Sequence, residues 1–369
     1  MKDVSLDEIV YFPSLRTQPA ELLGLRELDR ARKRRMLPLL TLTPTPRMPA
    51  LVDFRHAARQ AEEVMRSLPY LVDLGRAPSE HAAAWRQLVD PAQGFRLWRE
   101  FVQDHPGALP VVQAPDGANP RAVAQQAVDI EREFGLVVFR LRGAVPLTTG
   151  VELALDQLDA PGRALVVLDF GTERDWLLGC AGNARDLVLR WRARWPDLRV
   201  VVMGNSFPSA AQALGRAPTG EFPRSGRLAL LERELHRRVG ASARVAYGDH
   251  GSVHAPSEPG AEWPPGLVRI DYTRQGEWRF ERRLRSTVDE ASQEAASAIV
   301  SGAPGFGERG LWGEHAIQEA ANGRAFARGR EEWTAVRVNL HLATQVDEMI
   351  EEAAAYTRAP CAAGSPSSC

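Results

Sequence analysis

The sequence has few cysteines, no long apolar run and almost no net charge, and each absence excludes a class of protein. Three cysteines in 369 residues, Cys180, Cys361 and Cys369, favour a reduced cytoplasmic protein over a disulfide-stabilised one. No stretch approaches the roughly 20 apolar residues of a membrane span, and the first residues, MKDVSLDEIVYF, carry acids where a signal peptide would have its apolar core. A net charge of −1 gives no general attraction to nucleic acid or to anionic membranes.

Short motifs of the common cofactor and catalytic sites are also missing. The first predicted strand is not followed by a GxGxxG turn, and the chain contains no GxxxxGK[ST] phosphate loop and no GxSxG nucleophile turn. Asp249, His250 and His254 resemble a metal cluster only loosely, and no HExxH or CxxC spacing supports one, so we predict no metal site. The sequence leaves the cofactor unknown.

Apolar runs rich in β-branched residues alternate with helical patterns over the first 250 residues. Eight runs are predicted as strands: residues 7–12, 38–43, 70–74, 108–114, 136–142, 163–171 and 198–203, and an eighth that begins at 244–247. The segments between these strands are long enough for right-handed crossover connections, which favour a parallel sheet. Eight units in about 250 residues predict an α/β fold, a TIM-like (β/α)8 barrel, with a doubly wound open sheet as the alternative.

After the seventh strand the pattern becomes less regular. Residues 206–225 are rich in Gly, Pro, Ser and Ala and predict a long loop, and residues 227–238 predict a helix. Two alternating runs, 268–273 and 277–282, predict a β-hairpin. Further helices are predicted at 287–300, 317–321 and 333–352.

These patterns divide the chain into three predicted parts. Residues 1–255 form the barrel, 256–358 form a C-terminal hairpin and helical extension packed on it, and 359–369 form a disordered tail. Trp278, Trp312 and Trp333 cluster in the extension. We expect them to pack the hairpin onto the barrel rather than to form a binding face.

Polar side chains end most of the predicted strands. In a parallel barrel the active site forms at the C-terminal ends of the strands, so we expect a polar ring there. The second strand adds Thr41 or Thr43, and the other predicted members are Asp73, Gln113, Arg140, Arg142, Asp169, Asn205 and Asp249. The turns at 204–206 and 248–251 contain glycine at the positions where barrels often bind phosphate.

Two interpretations of this ring stay open. In the first, the Arg forks bind phosphate or carboxylate and the Asp groups act as acid–base groups or bind a cation. In the second, each Asp neutralises an Arg in an internal salt-bridge network, because neither can be buried alone. Two interpretations also stay open for His341, in the run VRVNLHL. It is either a core histidine whose ring nitrogens have hydrogen-bond partners or a catalytic histidine.

Several stretches together resemble the beta family of phage proteins. They are YFPSLRTQPAELLGL, VVLDFG, NSFP, YGDHG, IDYTRQGEWRFERR and the final Trp333 with VNLHL, in that order between residues 11 and 344. The resemblance adds His250, Tyr272 and Arg282 to the candidate ligand-binding residues. The chain departs from the family at His250, where an aromatic residue is usual, and at Arg16, where Lys is common.

The resemblance implies a prophage or anti-phage setting and supplies no established catalytic residue. Our first hypothesis is therefore a defence or toxin-immunity protein that binds a companion toxin or phage component through its barrel. The alternative is a barrel enzyme acting on a small anionic substrate, such as a nucleotide or a phosphorylated metabolite, which the Arg and Asp ring favours. A scaffold role is third, favoured only if the ring is paired internally.

Overall fold

Eight parallel strands wrap into one sheet in the computed structural model, which describes residues 6–43, 50–75, 82–143, 148–208, 224–253, 264–274, 276–324 and 329–358. In chain order the strands are β1 (Tyr11–Arg16), β2 (Leu39–Leu42), β3 (Tyr70–Leu74), β4 (Ala108–Pro110), β5 (Val137–Arg142), β6 (Ala164–Asp169), β7 (Arg199–Gly204), β8 (Ser225–Ala229), β9 (Ala246–Asp249), β10 (Leu267–Arg274) and β11 (Glu277–Leu284). The parallel sheet has the order β4-β3-β2-β1-β9-β7-β6-β5. A parallel bridge between Val111 and Val138 joins its two edges, so the sheet is nearly closed as a (β/α)8 barrel.

Helices follow the barrel strands, as the crossover rule requires. They are α1 (Pro19–Arg26), α2 (Arg30–Lys33), α3 (Ala50–Met65), α4 (Ala82–Leu88), α5 (Arg96–Gln103), α6 (Pro120–Phe134), α7 (Thr149–Leu155), α8 (Arg174–Leu177), α9 (Ala181–Arg194), α10 (Leu231–Ala243), α11 (Val288–Gly302), α12 (Trp312–Ala321) and α13 (Arg330–Arg358). The two ends of α6 are determined by residues next to the helix. Asn119 caps its first turn by accepting a hydrogen bond from the Arg121 N–H, and it ends at Gly135, whose φ of 76° favours glycine.

β6 is the strand most completely buried in the barrel. All six of its residues, Ala164–Asp169, are inaccessible to solvent. The apolar alternation explains this burial, because one face fills the barrel and the other packs under helices. Its last residue is a carboxylate, so a charged group lies at the end of an otherwise apolar interior.

The first strand differs from its predicted position. Residues 7–12 were expected to form it, with Pro13 as its end, whereas Leu6–Glu8 form a 3₁₀ helix and β1 continues through Pro13 to Arg16. Ser14 and Arg16 pair with Leu39 and Thr41 of β2, which holds the residues beyond the proline in the sheet. Proline lacks one backbone donor but does not prevent extended structure.

The predicted hairpin belongs to a three-stranded sheet, and one strand of that sheet was missed by local patterns. β10 and β11 pair antiparallel, and β8 joins β11 to complete a three-stranded sheet. The prediction of a helix over 227–238 is therefore wrong at its start: Arg227 lies in β8, and α10 begins at Leu231. The reason is pairing with a partner some 50 residues away, which outweighs local propensity.

Helix α13 connects the extension to the barrel. It packs along α1 so closely that a Cβ on Gly24 would lie 2.7 Å from the Ala335 carbonyl oxygen. Trp278 and Trp333 are buried, and the Trp278 ring stacks on His341 of α13. Among the described helices, none combines the length and apolar character needed to cross a membrane. The predicted domain boundary at 255 and the predicted tail at 359–369 lie outside the described residues.

Candidate functional site at the barrel mouth

Arg140, near the end of β5, is the centre of a hydrogen-bond network at the C-terminal end of the barrel. Its Nε and Nη2 lie 2.9 and 2.7 Å from Asp169 Oδ2. Nη1 donates to Asp73 Oδ2 and Thr41 Oγ1, both at 3.1 Å, and Nη2 donates to Ser14 Oγ at 3.0 Å. Five barrel strands thus meet at one guanidinium, and three of the predicted ring residues are in direct contact.

This network uses the whole hydrogen-bonding capacity of Arg140. All three of its nitrogens have partners, and the side chains of Arg140, Asp73 and Asp169 are at most 6% exposed. A buried guanidinium must be paired in this way, because leaving it uncompensated would cost several kcal/mol. For Arg140 the geometry therefore fits the internal salt-bridge interpretation, and its fork is not free for a ligand.

The two carboxylates of the network stay ionised. Burial alone would raise the pKa of Asp169, but the charges of His250 and Arg140 and the hydrogen bonds from His250 and Gly171 hold this pKa well below its ordinary value. Burial likewise opposes ionisation of Asp73, and Arg142 and Arg140 lower its pKa in spite of it. The mouth therefore holds fixed negative charges with fixed partners.

Arg142 and Gln113 complete the contacts to Asp73. Gln113 Nε2 donates to Asp73 Oδ1 at 3.1 Å, and Arg142 Nη2 donates to Oδ2. Arg142 lies two residues beyond Arg140 on the same face of β5, but its side chain is 53% exposed. Its guanidinium is accessible at the mouth, so Arg142 rather than Arg140 is suited to contact an anionic ligand.

His250 pairs with Asp169 on the side opposite Arg140. Its Nε2 donates to Asp169 Oδ1 at 2.8 Å, and the Gly171 N–H donates to the same oxygen at 2.9 Å. A carboxylate only accepts, so Nε2 carries the proton and Nδ1 is left as the basic nitrogen. The imidazole is 16% exposed. An imidazole oriented by a buried carboxylate and reached by solvent is the arrangement of a general acid–base group.

A cavity of about 730 Å³ lies between the barrel, the hairpin and α13. Arg16 and Thr43 line it from the strand ends, whereas Arg140, Asp169 and His250 do not. Its wall includes Arg16 and Glu21, which form an ion pair at 2.8 Å. Burial raises the pKa of Glu21 although the charge and hydrogen bonds of Arg16 oppose the rise. The volume lies within the range of small-molecule sites.

Asp249 does not belong to the ring in which the sequence placed it. Its Oδ1 accepts from Tyr11 Oη at 2.5 Å, and its Oδ2 accepts from Tyr247 Oη at 2.7 Å and His341 Nε2 at 2.8 Å. The Asp249 side chain is fully buried and faces the helices. His341 lies on α13, and the Tyr247 ring packs against Arg233 and His236 of α10.

The correction has a geometric reason. Gly248 is the inward residue, because a Cβ there would touch Val201 and Met203 inside the barrel. Side chains alternate, so Asp249 must point outward, and His250, one residue later, returns to the mouth. The sequence prediction was off by one residue at the end of this strand, so it placed Asp249 rather than His250 at the barrel mouth. His341 is a core histidine with a carboxylate partner.

Among the described residues, Glu232, Asp249 and His341 form the one group with atoms close enough to hold a metal ion, within 4.8 Å of one another. Each Asp249 oxygen already accepts two hydrogen bonds, and the Asp249 carboxylate is fully buried. Burial, followed by the charge of Asp249, raises the pKa of Glu232 to about 7. These contacts describe a hydrogen-bonded core network better than a metal centre.

The other predicted candidates lie away from Arg140. Asn205 is buried and links two loops, since its Nδ2 donates to the Val253 carbonyl at 3.2 Å and its Oδ1 accepts from the Phe207 N–H. Tyr272 donates to Glu314 Oε1 at 2.8 Å within the extension. Arg282 lies on β11 of the hairpin. Whether these residues bind a ligand stays a prediction.

Sequence reasoning missed Ser14 and did not count Arg16 among the site residues. Both lie on β1, two residues apart, so they share a face that leads to the mouth. Continuing the first strand through Pro13 would have revealed them. Glu21 could be found only from the tertiary structure, because it is the ion-pair partner of Arg16 from the following helix.

Comparison with known proteins identifies the family of this chain. The model of the Beta protein family matches residues 11–347, most of the chain and all the residues of the mouth. The chain belongs to the Beta protein family. It is 33% identical over 359 residues to protein beta of Enterobacteria phage P4, which covers 96% of this chain and 97% of that protein. The Beta family resemblance in the sequence is thus confirmed, and the chain is related to a phage protein. No solved structure matches it.

Proposed function

We propose that this Beta family protein is a barrel enzyme that binds a small anionic substrate at its mouth, with His250 as the acid–base group. The observation that carries the proposal is the Asp169–His250 pair at 2.8 Å, whose imidazole is partly exposed to solvent at the barrel mouth. The buried carboxylate orients the ring, as in other acid–base pairs.

Two further features support an anionic substrate. Arg142 presents an accessible guanidinium at the same mouth. The cavity is large enough to enclose a metabolite and to exclude part of its water, which strengthens each charge interaction inside.

A thermal-shift screen against phosphorylated and carboxylated metabolites tests the proposal, followed by NMR of each bound compound over time. We expect Arg142→Gln to weaken binding, and His250→Gln to keep binding but lose turnover. Arg185→Gln is the control, because Arg185 is about half exposed on α9 away from the mouth. Equal binding and equal turnover in all four proteins would refute this function.

A second function is a binding role in a phage-related system. We propose it because the chain is related to a phage protein and because Trp176 is 70% exposed on α8, directly after β6. Exposed aromatic residues are enriched in protein interfaces. The partner would be a companion toxin or phage component of a prophage defence locus, bound at the mouth end of the barrel.

Co-expression with the product of the neighbouring gene tests this second function. We expect the protein to rescue growth and to co-purify with that product, and Trp176→Ser to abolish both effects. Leu284→Ser, at an exposed apolar position in the hairpin, is the matched control. If the unmodified protein neither rescues growth nor co-purifies with that product, the binding role is refuted.

A further inference from the structure

Strand β8 lies at the edge of the hairpin sheet, with β11 on one side and, in the part of the chain that the structure describes, no strand on the other. The Arg282 N–H donates to the Arg224 carbonyl, and the Leu230 N–H donates to the Gly276 carbonyl, so the even-numbered residues from 224 to 230 bond toward β11. In an antiparallel pair the alternate residues point their N–H and C=O groups the other way. The backbone groups that face the free edge are therefore those of Ser225, Arg227 and Ala229.

This edge is open to solvent. Ser225, Arg227 and Ala229 are all exposed, and within the described ranges no backbone group pairs with Ser225 or Arg227 on that side. The edge ends at Ala229, whose carbonyl accepts from Arg174 Nη1 at 3.2 Å and from Ser206 Oγ at 3.4 Å. A row of unpaired N–H and C=O groups is a template for one more strand.

The inner face of β8 holds the edge in its extended conformation. Leu228 packs against a small buried cluster that includes Trp278 of β11. A Cβ on Gly226 would lie 2.6 Å from the Phe280 ring, so this ring covers the glycine closely. Because these contacts already order β8, an added strand would not have to order it first, which favours binding.

Arg227, in the middle of the edge, indicates the chemistry of the strand that would fit. Its side chain is 67% exposed, and its Nη1 donates to Glu277 Oε1 at 2.9 Å. Its other nitrogens have no partner among the described residues, so they are available to a second carboxylate. A residue opposite Arg227 on an added strand would have its Cβ about 5 Å away on the same face of the sheet. An acidic residue at that position fits the edge.

The surroundings of the edge carry little net charge. Arg279 and Arg283 of β11 share Glu281, and the exposed Arg224 interacts with the charge of Glu294. A strongly acidic segment is therefore not required, and one carboxylate at the middle of the edge is enough.

A second copy of this chain fits the edge less well. Two β8 strands that pair about a two-fold axis through the middle of the edge place the two Arg227 side chains opposite each other. Like charges directly opposite each other destabilise a strand pair. The edge thus favours a strand from a different protein.

We propose that β8 binds an extended segment of a partner protein, which adds to the hairpin sheet as its next strand and places a carboxylate opposite Arg227. Main-chain hydrogen bonds supply the affinity, and the side chain opposite Arg227 supplies the selectivity, as in other sites of strand addition. The edge uses neither His250 nor Trp176. The inference therefore goes beyond both proposed functions, and its failure would leave each of them standing.

Selection from a displayed library of short random peptides, with the full chain as bait, tests the edge. Enriched peptides should carry Asp or Glu in an extended, alternating sequence, and synthetic copies should bind in isothermal titration. Arg227→Pro should weaken this binding about tenfold or more, because proline removes the outward N–H and places its ring at the edge. Arg227→Ala keeps the N–H and loses the charge, so its affinity should fall between the other two. Arg324→Ala, on an exposed ion pair with Glu319, should bind as the unmodified protein does.

Arg227→Pro removes no hydrogen bond to β11, so the variant should stay folded. Ser225→Pro, at the same edge, is the second variant if it does not. Amide exchange followed by NMR needs no variant. In the free protein the Ser225 and Arg227 amides should exchange faster than those of Gly226 and Leu228, and the bound peptide should slow them.

Three results would overturn the proposal: no enriched peptide, equal binding by Arg227→Pro and the unmodified protein, or slowed exchange only away from β8. A dimer of the free protein that Arg227→Pro converts to monomers would overturn it as well, because the edge would then belong to a second copy.

Discussion

At the scale of single residues, the stability of this barrel depends on buried carboxylates whose hydrogen bonds are all made. Asp249 accepts from two tyrosine hydroxyls, one imidazole and the Gly251 backbone, so it holds β1, β9 and α13 together. Removing a charge that so many donors surround leaves those donors unsatisfied, and each costs about 1–3 kcal/mol. Asp249 is therefore a structural residue.

Asp249→Asn should lower the free energy of unfolding by about 2–4 kcal/mol, because the new amide N–H group faces donors in place of an acceptor oxygen. Urea denaturation measures the change. Asp186→Asn, on the exposed face of α9, should shift it by less than about 0.5 kcal/mol. Equal stability of the two variants would contradict the role given to Asp249.

Glu232 should make stability depend on pH between about 4.5 and 7. Its pKa is raised to about 7 in the folded state by burial and by Asp249, so the folded protein keeps this proton after the unfolded chain has lost it. Stability from this group is therefore present at low pH and falls as pH rises through that window. At pH 8 the cost is on the order of 3 kcal/mol.

Glu232→Gln removes this titration, so the difference in unfolding free energy between pH 5 and pH 8 should shrink. Urea denaturation at the two pH values provides the measurement. Glu234→Gln is the control on the same helix: hydrogen bonds from Arg238 lower the pKa of Glu234, which places its titration below the window. A difference unchanged by Glu232→Gln would show that Glu232 titrates normally.

At the scale of elements, the contact between α1 and α13 joins the extension to the barrel. Gly24 allows it, because a Cβ there would lie 2.7 Å from the Ala335 carbonyl oxygen and 2.8 Å from Val338 Cβ. Backbone atoms cannot move aside as a flexible side chain can, so the two helices would have to separate. The close approach thus depends on the absence of one side chain.

Gly24→Ala should therefore destabilise the protein by about 1–3 kcal/mol through overpacking. Gly182→Ala is the matched substitution on α9, where no atom lies within 4 Å of the new methyl group, and it should stabilise by about 0.4–1 kcal/mol. Thermal melts of the two variants should shift in opposite directions. A shift of the same sign and size would remove the packing argument.

The elements also show what the sequence could predict. Strand β3 was predicted to the residue, because its short apolar run has clear ends. β8 was missed because its strand structure depends on pairing with Trp278 and its neighbours on β11, far along the chain. Local patterns do not contain that pairing.

At the scale of the whole molecule, the closing of the barrel decides which strand-end residues meet. Asp73, Gln113, Arg140, Arg142 and Asp169 could be predicted together, because parallel strands end at one rim. The sequence could not show which of Asp249 and His250 faces that rim, because the answer depends on a shift of one residue at the end of β9. The cavity could not be predicted either, because the hairpin and α13 build half of it.

The central claim is that His250, oriented by Asp169, performs acid–base chemistry at the barrel mouth. NMR of metabolites bound to the unmodified protein and to His250→Gln, followed over time, tests it most directly. The account predicts turnover by the unmodified protein and none by His250→Gln, which should still bind the same compound. Equal turnover by the two proteins would contradict it.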